Sequence, residues 1–183
     1  SMAMTRQMTV ADYEQLSDIY ERHELRNGEL HVVTPPGEDH SDTAREIIWV
    51  FEQFIRSKGM EKLFIETAFV LGRDPGAALI PEVAFVRADR LDPHRNTSRP
   101  VQTHPDLAVE VVSPTDRPGE MDEKVRTYLD AGVEVVLLVD PRRRDVTAAH
   151  RNGSRNVLTG SDVLNLDAIL PGFEVQVSRF FTR

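Results

Sequence analysis

The 183-residue chain contains no cysteine, which excludes disulfide scaffolds, thiolate metal sites and thiol catalysis. Any metal ion must therefore be held by oxygen or imidazole ligands. The chain also lacks any apolar run near the roughly 20 residues that span a bilayer. Its start lacks the charged-then-apolar pattern of a signal peptide. These absences predict a soluble, cytoplasmic protein.

Positive charge is also in deficit, with 22 Lys and Arg residues against 30 Asp and Glu residues and a formal net charge of −8. Binding to nucleic acid draws on Lys and Arg that neutralise phosphates, so any such contact must be confined to a local patch. Two patches exist: Arg142 to Arg144, and a loop group of Arg87, Arg90, Arg95 and Arg99. Solvated loop charges are the alternative interpretation.

The composition favours one domain. With 40% hydrophobic residues and no internal repeat, the chain has material for one core, which we predict over residues 5–183. Ser1 and Met2 before Ala3-Met4 resemble an expression remnant, so residues 1–4 are predicted to be a disordered start.

Residue spacing predicts an α/β fold. The N-terminal half is predicted to contain a capped helix from Thr9 to about Leu16 and a hairpin of 20–26 and 29–33 around Asn27-Gly28. A helix that starts near Ser41 or Asp42 and is ended by Gly59 follows, and then strands at 63–71 and 80–86. The C-terminal half is predicted to contain a strand at 107–112, a helix at 119–131, a strand at 133–139 parallel to the first, a hairpin of 146–150 and 156–159, and a closing segment at 164–181. The long polar loop at 87–105 is a candidate for ligand contact.

Three charged residues fall where this pattern otherwise predicts burial: Glu82, Glu110 and Lys124. Lys124 follows Met121 by three positions on the apolar stripe of its helix, so it is predicted to point toward the sheet. An unpaired interior charge costs several kcal/mol, so such groups are retained when they are paired or bound to a metal ion. Lysine can also cover apolar surface at the rim of a core, which is the alternative for Lys124.

Hairpin-like pairing of the strands that carry Glu82 and Glu110 would place the two carboxylates side by side. Their repulsion is relieved by a shared proton or a divalent cation, and Mg²⁺, or Mn²⁺, suits an all-oxygen site. The carbonyl of Val111 is the predicted third ligand. Lys124 would then orient the nucleophile or add positive charge near a phosphoryl oxygen.

Three strings, PDLAVEVVSP, EKVRTYLDAGVEVVLLVD and ILPGFEV, together resemble the Uma-two family of restriction endonucleases within the PD-(D/E)XK nuclease superfamily. The resemblance extends from ELRNGEL at 24–30 to the end of the chain. It implies a restriction-endonuclease-like mixed sheet flanked by helices, with hairpins near both ends, and metal-dependent hydrolysis of DNA. Since double-strand cutting usually needs two active sites, we also predict a homodimer, without a nucleotide cofactor or a membrane partner.

The resemblance assigns roles by position. The family's first acid, normally Asp after Pro, is similar to Glu82 after Pro81, and its second acid is similar to Glu110. The family's lysine, displaced onto the following helix, is similar to Lys124, and Val112 stands where other superfamily members keep that lysine. Glutamate in place of aspartate at position 82 adds a methylene and changes the metal geometry.

Other polar residues carry two interpretations each. Asp106 matches the family pattern or is a turn residue that bonds its own backbone. His40 is predicted either to contact phosphate or a metal-bound water, or to be a structural residue just before a helix. Glu24 is either an extra acid of the site or a solvated strand residue. Ser113 and Tyr128 are predicted to bond Glu110 or Lys124, although Tyr128 is first a core residue.

Three functions remain open at this stage. The first is a metal-dependent nuclease built on the two glutamates and the lysine. The second is a non-catalytic module that retains the nuclease fold to bind DNA or protein. The third is a buried structural ion pair between Glu110 and Lys124 that holds no ligand.

Overall fold

The computed structural model describes residues 7–16, 22–59 and 62–181, so the start at 1–4 and residues 20–21 of the predicted hairpin lie outside it. The helices are α1 (Val10–Glu14), α2 (Glu38–Ser57) and α3 (Pro118–Ala131). The strands are β1 (His23–Arg26), β2 (Glu29–Val32), β3 (Leu63–Ile65), β4 (Phe69–Arg73), β5 (Gly76–Leu79), β6 (Val83–Phe85), β7 (Leu107–Val111), β8 (Val135–Asp140), β9 (Asp145–His150), β10 (Arg155–Thr159), β11 (Val163–Asn165) and β12 (Glu174–Gln176). None of the described helices is long and apolar enough to cross a membrane.

A six-stranded mixed sheet with the order β10-β9-β8-β7-β6-β3 forms the centre of the fold. As predicted, β7 and β8 run parallel and are connected through α3, while β6 pairs antiparallel with β7. All five residues of β7 are buried, which explains why its sequence is apolar except at Glu110. The mixed α/β architecture with hairpins near both ends is confirmed.

The two faces of the central sheet belong to different cores. Leu107, Val109 and Val111 of β7 face one core, which is shared with α2 and the C-terminal segment. A stacked pair of rings, Phe51 on α2 and Phe173, has its centroids 4.7 Å apart in that core. The alternate residues of β7 face the α3 side, where Ala108 packs with the apolar stripe of α3. Alternation places Glu110 on this α3 face.

A second sheet with the order β2-β1-β5-β4 packs beside the first. The predicted Asn27-Gly28 turn connects β1 and β2, and both turn residues have positive φ, 50° and 78°, as a tight two-residue hairpin requires. The capping box at Thr9 and Asp12 is also present at the start of α1. Because β1 lies between β2 and β5, its central residues are inside the molecule.

Two predicted strands have different bounds in the structure. The strand predicted at 63–71 breaks at Glu66, whose φ is 46°, so that β3 joins the central sheet and β4 joins the second. The strand predicted at 80–86 is preceded by β5 and begins only after Pro81, which has no N–H to donate to a ladder. Continuous apolar composition predicted strands but not the bends at which they change sheets.

Helix α2 begins at Glu38, three residues before the predicted Ser41. Gly37 occupies the N-cap position without a side-chain hydrogen bond, and Glu38 and Asp39 in the first turn complement the positive end of the helix dipole. The capping pattern at Ser41 and Asp42 therefore misplaced the start. As a consequence, His40 lies inside the first turn of α2, not before it.

Candidate active site

Glu110 occupies the centre of the candidate site. It lies on β7, between β6 and β8, and only 5% of the residue is exposed. Its Oε1 accepts a 2.7 Å hydrogen bond from the Tyr128 hydroxyl, as predicted. Its other oxygen, Oε2, lies 3.7 Å from the Lys124 ammonium. One oxygen is thus firmly held and the other is only loosely engaged.

Lys124 points inward from α3, as its position on the apolar stripe predicted. Its side chain is 13% exposed, and its Nζ lies 3.1 Å from Glu24 Oε1 in addition to the contact with Glu110. The ammonium therefore lies between two carboxylates. The alternative of a lysine that only covers apolar surface at the core rim does not describe it.

Glu24, for which the sequence left open an extra acid or a solvated strand residue, lies beside Lys124. The interpretation of a solvated strand residue is wrong, because Glu24 is 1% exposed. Its Oε2 accepts a 2.8 Å hydrogen bond from the Ile80 backbone N–H, and its Oε1 accepts one of 2.6 Å from Arg26. The spacing of Glu24 and Arg26, two apart on one face of a strand, was a signal for a charge pair. That β1 would be an interior strand was not readable from the sequence.

Glu82 lies across from Glu110. Val83 of β6 pairs with Val109 of β7 in an antiparallel register. Continuing that register by one residue brings position 82 opposite position 110. Its side chain is 18% exposed, and Oε1 lies 3.0 Å from His40 Nε2. His40 thus reaches the site through Glu82, which neither interpretation of it had specified.

Burial and neighbouring charge set the protonation of this cluster. Burial raises the pKa of Glu110 to about 7, opposed by Lys124 and supported by Glu24. Burial opposes the charge of Glu24, yet Lys124, the Ile80 N–H and Arg26 together lower its pKa. Burial would also lower the pKa of Lys124, but Glu110 and Glu24 overcome it and raise that pKa. At neutral pH the Glu24–Lys124 pair is charged, while Glu110 is close to its titration midpoint.

The donor set can be tested against the metal ion that the resemblance implies. Among the described residues, no three His, Asp or Glu side chains lie together as a ready-made metal cluster. An ion would instead use Glu82, the loosely engaged Oε2 of Glu110, a backbone carbonyl such as that of Val111, and water. One or two carboxylates with several waters is the coordination that Mg²⁺ prefers, so these residues fit a hard cation.

Asp106 lies away from this cluster, at the opposite end of β7 from Glu110. It accepts a 2.8 Å hydrogen bond from the Arg87 backbone N–H and pairs with Arg90 at 2.9 Å. The interpretation of a turn residue that bonds its own backbone is therefore wrong, and Asp106 instead fixes the start of the long loop. Ser113 also differs from its prediction, since its described hydrogen bond runs from its backbone N–H to Asp116.

The loop arginines predicted to contact nucleic acid are engaged locally. Arg90 is 19% exposed and is held by Asp106 and the His104 carbonyl, so little of its side chain is presented to a ligand. Arg87 remains half-exposed beside Asp106. Arg95 bonds the Asp92 carbonyl and Arg99 pairs with Glu14, and both line a cleft with Lys62 and Thr67.

A second cleft lies where β7 and β8 end, at the start of α3. Ser113 and Asp116 line it together with Arg142 and Arg143, from the turn after β8, and Arg155. Because β7 and β8 are parallel, this cleft is at the same end of the sheet as Glu110. It therefore brings Arg142 and Arg143 to the end of β7 that carries Glu110, whereas Arg87 and Arg90 lie beside Asp106 at the other end.

Comparison with known proteins agrees with this architecture. The solved structure of a protein from Anabaena variabilis, described as a putative nuclease belonging to DUF820, superposes with a TM-score of 0.82 at 16% sequence identity, covering 95% of this chain and 97% of that one. No curated protein matches the sequence. The family model described as "putative restriction endonuclease" matches residues 10–178. The chain therefore belongs to the Uma2 family.

Proposed function

We propose that this protein is a metal-dependent endonuclease that hydrolyses phosphodiester bonds in DNA, with Mg²⁺ or Mn²⁺ held by Glu82 and Glu110. The observation that carries the proposal is the position of Glu110, across the β6–β7 pair from a second carboxylate and 3.7 Å from an inward lysine. Membership in the Uma2 family supports the nuclease class. The excess of acid at the site supports a divalent cation.

Each side chain has a role that follows from its contacts. When bound, the metal ion supplies Lewis-acid stabilisation of the phosphoryl oxygens. Lys124 adds a positive charge and orients the attacking water, since its ammonium borders Glu110 Oε2. Tyr128 fixes Glu110 through Oε1, and His40 fixes Glu82 through its own Oε1. The remaining oxygen of each glutamate is left to the ion.

The substrate must overcome an acidic protein. With a net charge of −8, long-range attraction does not bring DNA to the site, so contacts near the site must supply the affinity. Arg142 and Arg143, in the cleft at the same end of the sheet as Glu110, are suited to a phosphate backbone, and Arg95 and Arg99 line a further cleft. We also propose a homodimer that cuts both strands. Light scattering that finds only monomer, with and without DNA, would refute the dimer.

Cleavage of plasmid and oligonucleotide DNA in Mg²⁺ or Mn²⁺ tests the proposal. We expect metal-dependent cleavage that falls about 100-fold or more in Glu110→Ala and Lys124→Ala. Glu123→Ala is the matched control, since Glu123 is an exposed neighbour of Lys124 on α3. Absence of metal-dependent cleavage by the intact protein, or full cleavage by the two site variants, would reject the proposal.

A non-catalytic module that binds DNA or protein is the second candidate function, and one observation favours it. Lys124 already pairs with Glu24 and approaches Glu110, so the buried charges are partly compensated without a metal ion. Calorimetric titration with Mn²⁺ separates the two functions. Binding that is lost in Glu82→Ala supports the nuclease, whereas no binding by the intact protein supports the module.

A further inference from the structure

We propose that Glu24 is a positioning residue, which holds the Lys124 ammonium away from Glu110 and so keeps Glu110 Oε2 open to a divalent cation. The part of this inference that concerns the cation rests on the proposed function. The part that concerns the position of Lys124 does not, because it can be observed in metal-free protein.

Glu24 is built as a fixed anchor. It is 1% exposed and lies on β1, which has a neighbouring strand on each side. Its Oε2 accepts from the Ile80 N–H at 2.8 Å. Its Oε1 accepts from Arg26 Nη2 at 2.6 Å and from Arg26 Nε at 3.1 Å. Charge-assisted hydrogen bonds on both oxygens leave this carboxylate little freedom to move.

Lys124 is divided unequally between its two acids. Its Nζ lies 3.1 Å from Glu24 Oε1, within hydrogen-bond distance, but 3.7 Å from Glu110 Oε2, beyond it. The other oxygen of Glu110 is occupied by Tyr128. The loose contact is therefore the only described side-chain contact of Glu110 Oε2, the oxygen that the proposed metal site requires.

The Lys124 ammonium and a divalent cation would compete for Glu110 Oε2. Lysine has a flexible stem and a mobile ammonium, so without the charge of Glu24 it can close the gap to Glu110 and form a direct ion pair. A cation would then have to displace the ammonium before it could bind. Replacement of Glu24 by glutamine would bring this about. A glutamine whose oxygen keeps the hydrogen bond from the Ile80 N–H turns its NH2 group, a donor, toward Lys124 and Arg26.

A double-mutant cycle on Mn²⁺ affinity tests the inference. Calorimetry would compare the intact protein, Glu24→Gln, Lys124→Met and the double variant. We expect Glu24→Gln to bind Mn²⁺ about tenfold more weakly, equivalent to about 1.4 kcal/mol. The same change in the Lys124→Met background is expected to have no effect, because no ammonium remains to compete. Arg26→Met is the control, since it removes a cation from Glu24 and leaves Lys124 held.

The metal-free crystal structure of Glu24→Gln supplies a readout independent of metal binding. We expect the distance from Lys124 Nζ to Glu110 Oε2 to shorten from 3.7 Å to that of a direct ion pair. A distance that does not shorten overturns the inference. So does an equal loss of Mn²⁺ affinity with and without Lys124, which would make Glu24 a source of general negative charge.

Failure of Glu24→Gln to fold and absence of Mn²⁺ binding by the intact protein each have a defined consequence. If Glu24→Gln does not fold, Glu24→Asp replaces it, because its shorter side chain lengthens the contact with Lys124. Its Mn²⁺ affinity is then expected to fall and to be restored by Lys124→Met, and failure of that restoration overturns the inference. If the intact protein binds no Mn²⁺, the proposed nuclease function fails, while the metal-free structure still decides whether Glu24 holds Lys124.

Discussion

The Tyr128 hydroxyl donates a 2.7 Å hydrogen bond to Glu110 Oε1, and this bond joins the apolar stripe of α3 to the middle of β7. Tyr128 follows Lys124 by four residues, so the two side chains lie on one face of α3. That face therefore presents a hydroxyl to one oxygen of Glu110 and an ammonium to the other. Packing of α3 on the sheet sets the geometry of both contacts together.

Tyr128→Phe is expected to lower stability without removing the ring from the core. Tyr128 is fully buried, and removal of its hydroxyl leaves the buried Oε1 of Glu110 without the hydrogen bond that Tyr128 donates. We expect the free energy of unfolding to fall by about 1–3 kcal/mol, measured by urea denaturation at pH 8. Thr127→Ala removes an exposed hydroxyl that donates to the Glu123 backbone carbonyl, and it is expected to change stability by less than about 0.5 kcal/mol. Equal small effects from the two variants would contradict the prediction.

The raised pKa of Glu110 predicts how stability changes with pH. Burial raises this pKa from 4.5 to about 7, so between these values the folded protein retains a proton that the unfolded chain releases. The stabilisation is complete below about pH 4.5 and is lost as the pH rises through about 7.

Glu110→Gln isolates this contribution, because glutamine resembles the protonated acid. Relative to the intact protein, the variant is expected to gain at least about 1 kcal/mol in the free energy of unfolding between pH 5 and pH 8. Burial would lower the pKa of His40, but the hydrogen bond and charge of Glu82, with the charges of Asp116 and Glu110, raise it. The contribution of Glu82 is common to both proteins, whereas the variant loses that of Glu110. Thermal and urea unfolding at both pH values measure the difference. If the difference in the free energy of unfolding between the two proteins does not change with pH, Glu110 titrates normally.

The Arg90–Asp106 pair is predicted to be structural. Asp106 is 4% exposed, and Arg90→Ala removes its 2.9 Å partner, which leaves a buried carboxylate poorly compensated. We expect a loss of about 3–5 kcal/mol in the free energy of unfolding. Arg87→Ala is the matched control, because Arg87 is half-exposed and its side chain lies 3.8 Å from the same carboxylate; its cost is expected to be below about 1 kcal/mol. Equal costs would remove the distinction between the two arginines.

His40→Gln tests the support of Glu82. The His40 contact with Glu82 at 3.0 Å orients the proposed metal ligand, so its loss is expected to weaken Mn²⁺ binding by about tenfold. Calorimetry measures this, with circular dichroism to confirm the fold. His31→Gln serves as the control, since the described side-chain contact of His31 on β2 is a 3.7 Å approach to the exposed Glu29. Unchanged Mn²⁺ affinity in His40→Gln would show that Glu82 needs no such support.

Much of the architecture was readable from local pattern. The apolar run at 107–112 and the helical stripe with Lys124 predicted a central strand and an inward lysine, because burial on both faces leaves a continuous apolar sequence. The Asn27-Gly28 turn fixed the first hairpin through its positive φ angles. The boundaries at 63–71 and 80–86 were not readable in this way, since apolar composition does not reveal which of two sheets a strand joins.

The sequence by itself determined that charged residues 82, 110 and 124 lie in apolar surroundings, because spacing along one strand or helix fixes which face a side chain occupies. Only the tertiary structure decided that Glu24 belongs with them and Asp106 does not. Both are acids near strands, and local pattern treats them alike. The difference arises because β1 is enclosed by β2 and β5, which directs Glu24 to Lys124. Asp106 directly precedes β7, at the end of that strand remote from Glu110. Strand order is a long-range property that residue spacing does not encode.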